Sequence, residues 1–266
     1  MARARIGTSG WAYGNWRGLF YPPKLRRGEW LVWYARFLDT VEVNASFYRL
    51  PSEELVRRWV AHGPDDFLFA VKAWRAITHD RRLADCADLL EQVYARAEPF
   101  GAKLGPILFQ LPPRFPADPP RLADLLALLR RDRRHAFEFR DPSWHSGEVY
   151  RLLERHDCAF VPFDLAGLTG PRVATASFVY VRLHGHERRY RGRYTREQLE
   201  DWAGWLAERL EEGRDVFVYF DNTDEEAHAV VNARELRAML ARWTVPVAAE
   251  LEETGGGAGC GARSSA

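Results

Sequence analysis

The feature that most constrains this chain is an alternation of strand-length apolar runs with helix-period segments, repeated along its length. Eight runs read as strands: 5–8, 40–44, 67–72, 106–111, 136–140, 159–164, 178–184 and 216–221. Most are rich in Val, Phe, Ile and Leu and bounded by turn residues, the pattern of parallel strands covered on both faces. Helices are predicted between them at 30–38, 52–61, 80–97, 119–131, 146–155, 195–212 and 225–243. Ser52 is placed as an N-cap before Glu53 and Glu54, Pro119-Pro120 suits a helix start, and Thr195-Arg196-Glu197-Gln198 is a capping box. Only the link 165–177 lacks a helical pattern. Eight strands with helices between them in about 245 residues is the arithmetic of a (β/α)8 TIM-type barrel, here with the helix between strands six and seven short or absent. An open doubly wound sheet would carry a Gly-rich phosphate loop after strand one, and Gly7-Thr8-Ser9-Gly10-Trp11 fits neither phosphate-loop pattern.

Composition narrows the function. With 47% hydrophobic and 28% charged residues the chain is an ordinary globular one, read as a single domain over 1–253. The Gly-rich stretch 254–266 has too little apolar surface to bury and is expected to be disordered. No apolar run approaches the roughly 18–20 residues of a membrane span, and no apolar segment follows the basic N-terminus, so a cytoplasmic protein is expected. The balance of 38 basic against 37 acidic residues argues against a broad basic footprint for duplex nucleic acid. Cys86, Cys158 and Cys260 are isolated, so neither a disulfide framework nor a zinc finger is expected. Only Lys24, Lys72 and Lys103 are lysines. A lysine at a strategic position therefore stands out, because it can lose its proton and arginine practically cannot.

The functional signal lies at the strand ends. Alternation puts Glu42 and Asn44 on one face of strand two, opposite two valines. Strand five does the same with Glu138 and Arg140, strand seven with Tyr180, Arg182 and His184, and strand eight with Tyr219 and Asp221. Lys72, Gln110 and Asp164 end strands three, four and six. If the apolar sets face the helices, the polar sets converge on the C-terminal mouth, where such barrels carry their active sites. A self-satisfied ion-pair layer is the bland alternative, since Glu42, Glu138 and Asp221 balance Lys72, Arg140 and Arg182. Aromatic residues, among them Trp11, Tyr13, Trp144 and Tyr194, crowd the same end and suit a planar or sugar-like ligand.

Further sequence blocks accompany these residues. They include Phe20-Tyr21-Pro22, the run from Val41 to Pro51, Phe69-Ala70-Val71-Lys72, Ile77-Thr78-His79 and Phe109-Gln110-Leu111-Pro112-Pro113. Phe137-Glu138-Phe139-Arg140 with Ser143-Trp144, Tyr180 to Gly185, Arg193-Tyr194 and Tyr219-Phe220-Asp221-Asn222-Thr223 complete them. From Ile6 to about Trp243 the chain resembles the YecE-like family, domain-of-unknown-function family 72. The resemblance implies a TIM-barrel-like fold and no particular reaction.

The leading expectation is an enzyme that binds a small anionic ligand, phosphorylated or carboxylated, without a cofactor. Lys72, Arg140 and Arg182 would clamp the anion, and His184 with Glu42 or Glu138 would move protons, with Asp221 also in the catalytic set. Ser9, Trp11, Tyr13, Asn44, Gln110, Trp144, Asp164, Tyr194 and Asn222 complete the expected ligand contacts. One alternative is a hydrolase or isomerase using a divalent metal held by the same carboxylates and His184. Another is Schiff-base chemistry at Lys72, which an ion pair with Glu42 or Glu138 would abolish. A nucleic-acid or protein binder, using the loop Arg188-Arg189-Tyr190-Arg191-Gly192-Arg193, is the alternative of another class.

Overall fold

The computed structural model describes residues 2–223 and 226–244, so the expected tail at 254–266 lies outside the described residues. Ten strands form: β1 Ala4–Ser9, β2 Thr40–Val43, β3 Leu68–Lys72, β4 Leu104–Gln110, β5 His135–Glu138, β6 Cys158–Phe160, β7 Phe163–Leu165, β8 Leu168–Thr169, β9 Phe178–Leu183 and β10 Asp215–Phe220. They make one sheet in the order β6-β5-β4-β3-β2-β1-β10-β9-β7-β8, and every pair is parallel except β7 with β8. β6 lies at one edge and β7 near the other, yet only Val161 and Pro162 separate them in sequence. The sheet therefore curls.

The expected strand six is thus two strands. Val161 N–H still donates to Phe137 of β5 at 2.9 Å, whereas the Pro162 carbonyl accepts from Arg182 of β9 at 3.1 Å. Proline has no N–H to continue a ladder, so pairing changes partner at this residue. Of the expected ring of eight strands the structure shows a curled, parallel-rich sheet whose ladder runs from β6 to β8. Between β7 and β9 the described chain forms a short antiparallel hairpin and no helix, as the link 165–177 implied.

The helices are α1 Trp30–Tyr34, α2 Ala45–Tyr48, α3 Glu53–His62, α4 Ala87–Ala97, α5 Pro119–Ala127, α6 Gly147–Arg155, α7 Arg196–Glu211 and α8 His228–Thr244. Their starts follow the sequence signals. Ser52 accepts from Leu55 N–H, Ser146 from Val149 N–H, and Thr195 and Gln198 cap each other reciprocally. α4 begins only at Ala87 because residues 76–80 form a wide π turn and Arg82, Leu83 and Asp85 take positive φ, which a right-handed helix excludes. Among the described residues no helix is long and apolar enough to cross a membrane.

Strand alternation sorts the core into two sides. Ile6, Val41, Val43, Phe69, Val179, Val181, Val216 and Val218 pack outward against helices. Ala70, Leu108, Ala136, Ala159, Phe178, Tyr180, Phe217 and Tyr219 fill the concave side. Two residues on from the concave-side positions Ala70, Leu108, Ala136 and Tyr180 come Lys72, Gln110, Glu138 and Arg182. An apolar floor therefore carries a polar layer toward the C-terminal rim.

The floor is tight where β1 crosses it. A Cβ on Gly7 would stand 2.1 Å from the Thr40 carbonyl oxygen, and Thr40 Oγ1 is bonded to the Tyr219 hydroxyl at 2.8 Å. Gly7→Ala is expected to destabilise the fold by about 3 kcal/mol, the upper range for overpacking, read by chemical denaturation. A loss below about 0.5 kcal/mol would show that the sheet relaxes freely here.

Candidate functional site

The polar layer is organised by Arg182 on β9, which is 1% exposed. Its Nε and Nη2 donate to both oxygens of Glu42 at 2.9 and 2.7 Å, and Nη1 donates to Glu138 Oε2 at 2.7 Å. One planar guanidinium thus bridges carboxylates from strands on different parts of the curl. Glu42 also accepts from the Ser9 hydroxyl and from Tyr180 Oη at 2.6 Å. Glu138 accepts from Arg140 Nε through its second oxygen. Burial alone would push Glu138 up, but Arg140 and Arg182 overcome it and hold the carboxyl well below the usual carboxylate range. Burial and the Glu42 charge drive the Tyr180 phenol upward, which keeps it a donor.

His184, just past β9, extends the network. Its Nε2 lies 3.0 Å from Arg140 Nη2 and its Nδ1 lies 2.9 Å from Asp221 Oδ2. A guanidinium only donates, so Nε2 accepts and Nδ1 carries the proton toward Asp221. Asp221 is mostly buried, which would raise it, yet the His184 hydrogen bond and the charges of His184, Arg182 and Lys72 hold it below its ordinary value. Tyr13 donates to the Ser9 carbonyl at 2.5 Å, and burial together with the Asp221 charge raises its phenol.

Lys72 ends β3 on the same side and is only partly exposed. Its Nζ stands 4.3 Å from the Phe47 ring centroid. Among the described residues it makes no hydrogen bond and no ion pair. Burial and the Arg182 charge push this ammonium down to about 8, against the opposing pull of Glu42, Glu138 and Asp221.

The structure thus brings together Ser9, Tyr13, Glu42, Lys72, Glu138, Arg140, Arg182, His184 and Asp221. The other expected contacts stand apart from this lattice. Trp144 is fully buried, stacked on Phe139 at 4.8 Å with its indole N–H on the Phe115 carbonyl, and has no face left for a ligand. Trp11 packs edge-on against Trp59 at 5.4 Å. Gln110 donates to the Leu111 carbonyl at 2.6 Å. The Tyr194 hydroxyl accepts from Gly185 N–H at 3.0 Å, and Asn222 Nδ2 donates to the Gly192 carbonyl at 2.7 Å, so both tie down the loop after β9. Asp164 Oδ2 pairs with His186 Nδ1 at 2.9 Å. Asn44 Oδ1 and Asn222 Oδ1 are buried acceptors without a hydrogen-bond partner among the described residues. Tyr180 belongs to the lattice; sequence reasoning put it on the polar face of strand seven but not among the catalytic or ligand-contact residues. Its period-two spacing from Arg182 was the available signal.

Two measurements follow from this lattice. Arg182→Met leaves two buried carboxylates without their shared partner and is expected to lower stability by about 3–5 kcal/mol in chemical denaturation. Adding Glu42→Gln and Glu138→Gln should recover part of that loss, and no recovery would mean that charge is not the cause. The depressed Glu138 stabilises the fold above the unfolded-state carboxylate value near 4.3, and that stability is lost as pH falls below it. Stability of Glu138→Gln should therefore depend less steeply on pH below about 4 than that of the wild type.

Comparisons with known proteins agree with this architecture. The model of a protein family of unknown function, DUF72, matches residues 5–254. UPF0759 protein YunF of Bacillus subtilis is 29% identical over 88% of this chain and 94% of its own length. UPF0759 protein YecE of Escherichia coli is 32% identical over 56% of this chain and 53% of its own. The crystal structure of a DUF72 family protein from Thermotoga maritima superposes with a TM-score of 0.80 at 27% identity, covering 90% of this chain and 99% of that one. A xylose isomerase-like TIM barrel within a fusion protein superposes at 0.50 and 16% identity, over 90% of this chain and 43% of that one, a likeness of fold alone. With the family model spanning nearly the whole described chain, the protein belongs to the DUF72 family and has a TIM-barrel-like fold.

Proposed function

We propose that the C-terminal rim of the concave face binds a small anionic ligand and carries out general acid/base chemistry on it. The observation that carries this reading is the state of Lys72. Glu42, Glu138 and Arg182 are saturated by one another, while the Lys72 ammonium has no ion pair among the described residues. A cation left unpaired beside a closed ion lattice attracts a phosphate or carboxylate from solution. Asn44 Oδ1 and Asn222 Oδ1 add acceptors for hydroxyl groups, which suits a sugar-like body on the anion.

In this reading Glu42 and Glu138 are positioning residues, because their lone pairs are already taken by guanidinium donors. The same occupancy disfavours a divalent-cation site built on them, since a metal would compete with Arg182 and Arg140 for every oxygen. Proton movement falls to Lys72 and to the His184–Asp221 pair. An anion arriving at Arg140 would compete for Nη2 and release His184 Nε2 to accept a proton from the ligand, with Asp221 stabilising the imidazolium that forms. We further infer that Val161 and Pro162 close the sheet into a complete barrel, giving the rim a continuous wall.

Ribose 5-phosphate is the first probe. It should raise the melting temperature of the wild type more than ribose at equal concentration does, and Lys72→Met should remove most of the difference. At a hundredfold excess over Kd the stabilisation would be about 2.7 kcal/mol. Equal effects of ribose and ribose 5-phosphate, or an undiminished shift in Lys72→Met, would overturn the anion reading.

A further inference from the structure

The residues around Lys72 point past simple anion capture, on the assumption that the rim is a ligand site as argued above. We propose that Lys72 is a nucleophilic amine that condenses with the carbonyl carbon of a small anionic aldehyde or ketone and holds it as an imine.

A lysine nucleophile needs a neutral lone pair, and a carboxylate partner is the usual obstacle because it keeps the ammonium protonated. Here each candidate carboxylate is otherwise engaged. Glu42 holds Arg182, Ser9 and Tyr180, Glu138 holds Arg182 and Arg140, and Asp221 accepts from His184. The groups around Lys72 come from several elements: Glu42 on β2, Glu138 on β5, Arg182 on β9, Asp221 after β10 and His79 in the turn after β3. Arg96 of α4 lines the same small cavity beside β3. Phe47 covers one side of the amine with an apolar ring at 4.3 Å. Burial and Arg182 bring the ammonium down to about 8, so a substantial fraction is free amine under mildly alkaline conditions.

The other lysines provide the contrast. Lys103 donates to the Val60 and Gly63 carbonyls at 3.0 and 2.9 Å, which fixes its nitrogen as a donor. Lys24 is exposed to water.

The step balances without an oxidant or reductant. The Nζ lone pair attacks the carbonyl carbon, the C–O π bond opens, and the proton lost from nitrogen ends on that oxygen as a carbinolamine. The remaining C–O bond then breaks as C=N forms, the second proton lost from nitrogen joins the departing hydroxyl, and the oxygen leaves as water.

Three lysines make the test direct. The full chain is incubated at pH 8 with glyoxylate and sodium cyanoborohydride, which reduces an imine to a stable carboxymethyl-lysine. Peptide mapping then reads Lys24, Lys72 and Lys103 in one digest. Lys72 is expected to be modified about tenfold or more faster than Lys24, because near pH 8 its free-amine fraction far exceeds that of an ordinary lysine with a pKa of about 10.4. The selectivity should vanish in concentrated urea. Modification of Lys24 at an equal or greater rate, or selectivity that survives urea, overturns the proposal. Ribose 5-phosphate stabilisation of the same preparation separates the two readings: stabilisation without Lys72 selectivity sinks the imine alone, and the loss of both sinks the anion site as well.

Discussion

The rim of this fold is organised by one bidentate ion pair, Arg182 on Glu42, and by the reach of the same guanidinium to Glu138. Burying three charges is costly unless each is paired and hydrogen-bonded. Here the cost is offset by the two hydrogen bonds to Glu42, the one to Glu138, and the added donors Ser9, Tyr180 and Arg140. The lattice can form only because the sheet curls. β2, β5 and β9 stand at separated places in the sheet order, and only curvature brings their concave faces within reach of a single guanidinium.

The lattice also sorts charged residues that look alike in the sequence. Arg182 and Arg140 occupy the oxygens of Glu42 and Glu138, and the two guanidinium groups hold the Glu138 carboxyl well below its ordinary value. Asp221 orients His184 in the same way that Glu42 orients Arg182. Lys72 is the remainder of this accounting, a cation on the same face with a ring of Phe47 for company and, among the described residues, no carboxylate of its own. Both proposals for the rim follow from that asymmetry.

Much of this was legible from residue order. The alternation in Val41-Glu42-Val43-Asn44 and Phe137-Glu138-Phe139-Arg140 placed the polar layer on the concave side, where the structure has it. Capping residues Ser52 and Thr195 marked helix starts correctly because the signal is local. Other features depend on tertiary context. Pro162 divides one expected strand between two partners, which no periodicity shows. Trp144 reads as a rim aromatic by its position after β5, but stacking on Phe139 takes it into the core. Nor does the sequence distinguish Lys72 from Arg140, since charge pattern alone does not say which cation has found its carboxylate.

The most direct measurement is the titration of Lys72 itself by NMR on protein carrying isotope-labelled lysine, whose three side-chain resonances are assigned with Lys24→Arg and Lys103→Arg. The account predicts a Lys72 midpoint at about 8. A midpoint at the ordinary lysine value of about 10.4 would mean that a carboxylate of the rim is paired with it after all, and would contradict the separation of an occupied ion lattice from a free working amine.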